Sequence, residues 1–153
     1  MAHVANTELA RLRAVLASYM DRHGLRSTGQ RRLIVDEFFR AKAHITIEEL
    51  LTAVRRADPR VGYATVYRTL KLLAESGVAS ARQFGDGMTR YEVADGEAHH
   101  DHLICLECHE ITEFEEPRIE ALQDDVAARH GFEVRSHKHE MYGICARCRG
   151  RRA

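Results

Sequence analysis

Four cysteines stand in this chain as two pairs, Cys105-Leu-Glu-Cys108 and Cys145-Ala-Arg-Cys148, and nothing else in the sequence restricts the fold as tightly. Two residues between thiolates let both sulfurs of a tight turn point at one ion. Four such sulfurs make the closed tetrahedral site that zinc prefers. The pairs are 36 residues apart, beyond the roughly 15–20 of a compact zinc ribbon, so a helix and strands must fit inside the loop that the metal closes. Such a site is structural. The opening residues, MAHVANTELARLR, turn polar too early for the apolar stretch of a secretory signal and point to the cytoplasm, where disulfides are disfavoured. Thioredoxin-like redox chemistry would need a single CxxC at the start of a βαβ unit.

A chain of 153 residues fits one domain or two small ones. The net charge of zero conceals a division between them. Through Val93 the chain carries 15 Lys+Arg against 10 Asp+Glu, and the remaining 60 residues carry 8 against 13. Histidine divides 3 against 7, and every cysteine lies in the second part. A basic half suits a polyanion, and an acidic half rich in His and Cys suits a cation. No apolar run approaches the ~18 residues of a membrane span.

In the first part apolar residues recur at helical spacing. Leu9, Leu12, Leu16, Tyr19 and Met20 mark a helix that Gly24 ends; Thr28 caps a second with Leu33, Ile34 and Phe38. A capping box, Thr46-Ile-Glu-Glu49, starts a third with Leu50, Leu51 and Val54, which stops before Pro59. The fourth runs from about Tyr63 to Glu75, with Val66, Leu70 and Leu73 inward. Residues 78 to 93 change period around Gly85-Asp86-Gly87 and read as a hairpin. Helices followed by a hairpin form the pattern of a winged helix-turn-helix, whose fourth helix would enter the major groove. The alternative on pattern alone is a small basic helical domain.

The expected division is residues 1–93 as the DNA-binding domain, 94–98 as a hinge and 99–153 as an α+β metal-binding domain. In the last, His102 to Cys105 and Ile111 to Phe114 read as strands, Pro117 opens a helix ending near His130-Gly131, and Phe132 to Cys145 holds two more strands. In an extended His99-His100-Asp101-His102, His100 and His102 face one side and His99 and Asp101 the other, so one segment can feed two metal sites. Isolated partners are Glu92, Glu113, Glu120, His137 and His44. His3, His23, His109, His130 and His139 read as surface or hydrogen-bonded residues, and Glu115-Glu116 as a solvated acidic turn. Imidazole with carboxylate suits Fe(II), Zn(II), Mn(II) and Co(II) alike.

The ordered segments Ala64-Thr-Val-Tyr-Arg-Thr-Leu70, Arg90-Tyr-Glu92, His99-His-Asp-His-Leu-Ile-Cys-Leu-Glu-Cys108 and Tyr142-Gly-Ile-Cys-Ala-Arg-Cys148 span nearly the whole chain and resemble the motifs of the ferric uptake regulator family. The resemblance implies a homodimeric, metal-dependent transcription factor with an N-terminal winged helix on double-stranded DNA, an A·T-rich inverted repeat, and a C-terminal α+β dimerisation domain. It puts structural Zn2+ on Cys105, Cys108, Cys145 and Cys148. It puts a regulatory ion, Fe2+ or Zn2+ with Mn2+ as a further choice, on His44, Glu92, His100, His102 and Glu113. An additional site falls on His99, Asp101, Glu120 and His137. DNA contacts fall on Arg26, Thr65, Tyr67 and Arg68. The alternatives for the last two are a core aromatic and a phosphate contact. Arg31, Arg32, Lys71, Arg82 and Arg90 read as phosphate contacts or plain surface.

Within that family Glu92, where peroxide sensors tend to carry Asp, and the complete third site lean to an iron-dependent repressor of metal-uptake genes. A zinc-uptake regulator or a peroxide sensor is the alternative. A metalloenzyme would need an open coordination position beside a general base, with a small-molecule substrate; every polar cluster here is claimed by a ligand role, so no enzyme is expected.

Overall fold

The computed structural model describes residues 6–41, 44–94 and 100–151. His3, His99 and most of the expected hinge lie outside them. The chain divides into two compact units, Met1–Gly96 and Glu97–Ala153.

The first unit holds α1 (Asn6–Arg22), α2 (Gly29–Arg40), α3 (Ile47–Arg55) and α4 (Tyr63–Glu75), then the antiparallel hairpin β1 (Ala79–Gln83) and β2 (Thr89–Val93). The caps form as the sequence demands. Thr28 accepts from the Arg31 amide, and at Thr46 both halves of the box are made: the Glu49 amide donates to Thr46 Oγ1 at 3.2 Å and the Thr46 amide to Glu49 Oε2 at 2.9 Å. Gly24 and Gly77 follow α1 and α4 with φ of +63° and +77°, the left-handed conformation in which a residue lacking Cβ is unstrained. One stripe of every helix meets in a single core, with Leu12, Ile34, Leu50, Val66, Leu70 and Leu73 at 0–1% exposure. The hairpin closes through Asp86, whose Oδ1 accepts from the Met88 amide, with Gly87 at φ +78°. Four helices with a hairpin after the fourth make this unit a winged helix-turn-helix, as expected.

The second unit is a three-stranded sheet in the order β4-β3-β5, with β3 (Asp101–Cys105) antiparallel to β4 (Ile111–Phe114) and parallel to β5 (Glu140–Gly143). The crossover to the parallel strand is α5 (Pro117–Arg129), started by Pro117 at its first turn and capped by the Glu116 side chain. Glu116 is therefore a helix cap and not merely part of a solvated turn. Two expectations fail here. Phe132–Cys145 yields one strand instead of two: residues 132–139 join no ladder, and Phe132 (74%) and Val134 (47%) face solvent. Alternation reports which side chains share a face, not whether a neighbouring strand exists to pair with. The short helix α6 (Ala146–Gly150) was not foreseen; it carries the second CxxC pair. Among the described residues no helix is long and apolar enough to cross a membrane.

Candidate metal centres and nucleic-acid interface

The cysteines converge from three places in the second unit. Cys105 ends β3, Cys108 follows in the turn, Cys145 caps α6 and Cys148 lies within it. All four sulfurs lie within 4.8 Å of one another. Cys108 and Cys145 stand 3.8 Å apart, Sγ to Sγ, too far for a disulfide. With Zn–S bonds of about 2.3 Å, a tetrahedron has edges of about 3.8 Å. The donor set therefore fits the ion, and zinc there would tie the end of β3 to α6.

The environment also favours thiolates unevenly. Amides of Cys108 and Cys145 directed at its sulfur lower Cys105 to about 6, whereas burial, reinforced by neighbouring thiols, pushes Cys148 up to about 12. The Glu110 amide and then the Arg147 guanidinium lower Cys108. Arg147 is in turn held by Glu110 at 2.7 Å. His109, read as a surface or hydrogen-bonded residue, takes φ +58° where the chain leaves this turn, a conformation uncommon outside glycine.

In the first unit, His44 and Glu92 come together across an isolated bridge. Ile45 and Tyr91 exchange both backbone hydrogen bonds at 2.8 Å, which sets the preceding and following residues side by side. His44 Nδ1 lies 3.0 Å from Glu92 Oε2, with the imidazole 6% exposed and its backbone at φ +62°. A non-glycine residue there costs on the order of 1–3 kcal/mol and persists only where its surroundings over-determine it. Phe84 meets the imidazole edge-on at 5.7 Å. Burial pushes Glu92 up, but the hydrogen bond and charge of His44, with the charge of Arg82, outweigh it and hold the carboxyl below its ordinary value. Arg82 is thus paired with Glu92. Arg90, also read as surface or phosphate contact, is instead buried at 3% exposure: Asp86 takes its Nη2 at 2.7 Å, and the guanidinium lies over Phe84. A cation paired this way stabilises the wing turn and is withdrawn from phosphate.

In the second unit His102 is 4% exposed and stands opposite Glu113 in the β3–β4 register. His100 Nδ1 lies 3.1 Å from Glu115 Oε1. Sequence reading missed Glu115, because a carboxylate fifteen positions from its partner shows no periodic signal. Asp101, Glu120 and His137 offer ligand atoms within 4.8 Å of one another, from β3, α5 and the segment before β5. His137 Nε2 lies 3.3 Å from both Glu120 oxygens. His99, the remaining expected member, lies outside the described residues.

On α4 the helix presents two unlike sides. Val66, Leu70 and Leu73 are fully buried, whereas Tyr63 and Tyr67 are 47% and 44% exposed and Arg68 is exposed. Tyr67 is therefore not a core aromatic. Thr65 is half-buried, and its carbonyl accepts from Thr69 Oγ1. Arg26 is exposed after α1, its carbonyl held by Arg31. His23 stacks on Tyr19, as a bland reading of that residue requires.

The chain as a whole matches known proteins. The sequence pattern of the ferric uptake regulator family matches residues 22–142. A "Ferric uptake regulation protein" of Campylobacter jejuni is 40% identical over 132 residues, covering 85% of this chain and 83% of that one. The structure of the Helicobacter pylori ferric uptake regulator, described as revealing three functional metal binding sites, superposes with a TM-score of 0.81 at 32% identity, covering 92% and 93% of the two chains. A zinc-bound manganese uptake regulator superposes at 0.73 with 39% identity, covering 86% and 98%. By family pattern, sequence and fold together, the chain belongs to the ferric uptake regulator family.

Proposed function

We propose that this chain is an iron-responsive transcription regulator that acts as a homodimer on double-stranded DNA in the cytoplasm, repressing metal-uptake genes. The observation that carries the reading is the buried His44–Glu92 pair, which preorganises an imidazole and a carboxylate at the base of the wing through a strained backbone. His100, His102 and Glu113 supply the remaining donors from the second unit. An ion that takes ligands from both units restricts their relative angle, and a protein restricted to the DNA-competent angle binds DNA more tightly. The four cysteines hold structural zinc independently of that signal.

The reading head is the exposed side of α4. Arg68 can pair with a guanine edge and Tyr67 pack on a thymine methyl, with Thr65 and Arg26 adding contacts to an A·T-rich inverted repeat. Dimerisation is supported by α5, which buries no residue within its own chain, and by a groove of about 450 Å³ lined by Leu122, Val126, Phe132 and Val134. Exposed apolar area of this kind marks a protein interface, and two-fold pairing would present two reading heads to the two half-sites. The carboxylate at Glu92 and the His–carboxylate donor sets suit Fe(II), with Zn(II) and Mn(II) as competitors in vitro.

The test is an anaerobic titration of the full chain with Fe(II), Mn(II) and Zn(II), read by DNA anisotropy. Fe(II) raises wild-type affinity, and Glu92→Ala or His100→Ala abolishes the gain while zinc at the cysteines and the dimer persist. Metal-independent DNA binding by the wild type, or an unaltered response in both variants, would falsify the proposal.

A further inference from the structure

His139 has no part in the reading so far, yet it is placed against a proposed metal ligand. Asp101, at the start of β3, is 1% exposed and stands opposite Phe114 in the β3–β4 register. His139 Nδ1 is shielded from solvent and lies 3.3 Å from Asp101 Oδ2. The ring is fixed from two other directions. Its edge meets Phe114 at 5.9 Å and 76°, and the His139 carbonyl accepts from the His102 amide at 3.1 Å, immediately before β5 joins β3. Backbone and ring are therefore both positioned by the sheet, and Nδ1 lies within ion-pairing distance of one carboxylate oxygen without the alignment of a hydrogen bond.

We infer that His139 is the positioning residue of the additional metal site: it holds the Asp101 carboxylate so that this group, with Glu120 and His137, receives a divalent cation. The inference rests on the reading of Asp101, Glu120 and His137 as ligands. His139 itself stands outside the set of atoms within 4.8 Å of one another, so its place is beside the ligand and not on the ion. A buried carboxylate can rotate about its last bond, and an ion then has to select one orientation from several. A fixed imidazole in close contact with Oδ2 narrows that freedom. Partners of this kind commonly alter metal affinity about 10–100-fold when removed. The pairing joins residues 38 positions apart that carry no motif between them.

Co(II) is the probe, titrated against a competing chelator into the full chain with its cysteine zinc in place, and read by stoichiometry, affinity and visible absorption. Asp101→Ala should lose one Co(II) equivalent, which identifies the site. His139→Leu should keep that equivalent but bind it about 10–100-fold more weakly, with shifted ligand-field bands. His139→Asn, which keeps an N–H near the Nδ1 position, should restore affinity to within a few-fold, and His139→Gln, whose amide reaches past it, should not. Wild-type affinity and bands in His139→Leu overturn the role of His139. Complete loss of the equivalent in that folded variant overturns it too, by making His139 a ligand. If His139→Leu does not fold, equal affinities of the Asn and Gln variants overturn it. Full stoichiometry in Asp101→Ala instead overturns the underlying site, whatever the His139 variants do.

Discussion

The two units of this protein are held together by different physics. The first encloses seventeen buried apolar residues in one cluster, contributed by four helices and the hairpin. In the second, the buried residues among those described are Asp101, His102, Ile104, Cys105 and Cys148. Four of those five are polar candidate ligands, Asp101 and His102, or members of the cysteine set, Cys105 and Cys148, which leaves Ile104 as the hydrocarbon side chain, so apolar burial contributes little to that unit alone. A small domain of this kind needs a staple, and the four-cysteine set is its staple. The first unit thus has an apolar core of its own, whereas the second has little of one and four cysteines in its place.

The largest expected effect breaks that dependence. Cys148→Ser should release zinc, collapse the amide spectrum of β3–β5 and α5, and yield monomers, because structural zinc contributes on the order of 10 kcal/mol to the folding of small zinc domains. The spectrum of α1–α4 should persist in the same sample. Joint loss of both sets of resonances would show that the units share one cooperative transition and erase the contrast. The opposite perturbation is Leu70→Ala. Leu70 is fully buried at the centre of the first core, so its truncation should cost about 2–5 kcal/mol through lost burial and a residual cavity. Denaturant unfolding followed through the helices should show this loss, with zinc retained to the wild-type midpoint of release.

The same contrast explains what could be read from the sequence. Val66, Leu70 and Leu73 report α4 because a helix buried in its own chain must repeat every three to four residues. Thr28, Thr46 with Glu49, and Gly24 report helix ends because caps are local chemistry. The cysteine pairs are legible because metal geometry fixes their spacing. What escaped was non-local. Phe132 and Val134 alternate like a strand but pair with no other strand, Glu115 meets His100, and His139 meets Asp101. Each depends on which segments the fold juxtaposes, and no spacing rule encodes that. The motif resemblance implies ligand sets that periodicity cannot.

A smaller effect sharpens the comparison within the first unit. Thr46→Ala removes one half of the capping box and should cost about 1 kcal/mol, within the ~0.5–2 kcal/mol range of N-cap removal. Thr46→Ser, which keeps the acceptor, should recover most of it. Thermal unfolding of α1–α4 should shift while zinc content stays constant; equal loss in the Ala and Ser variants would mean that the hydroxyl cap is not what fixes this end of α3.

The smallest effect is expected in acid, where the two units should separate by pH. Zinc thiolates compete with protons, and cysteine has an unperturbed pKa of about 8.5, so acid removes zinc and the second unit before it reaches ordinary carboxylates. In the first unit Glu92 is different from a free carboxylate. Burial disfavours its charge, but His44 and then Arg82 favour it more, so its folded pKa lies below the ordinary 4.5. A carboxyl with a depressed folded value adds stability above its unfolded pKa, and that increment disappears as pH falls through the folded value. Protein carrying zinc but no added iron should therefore lose part of the stability of α1–α4 below about pH 4.5. Glu92→Gln keeps a hydrogen-bonding group and removes the titration, so it should flatten this lower step without moving zinc release. An acid profile identical in Glu92→Gln and wild type would mean that the His44–Glu92 pair contributes no pH-dependent stability, leaving the strained φ of His44 to be held by the Ile45–Tyr91 bridge alone.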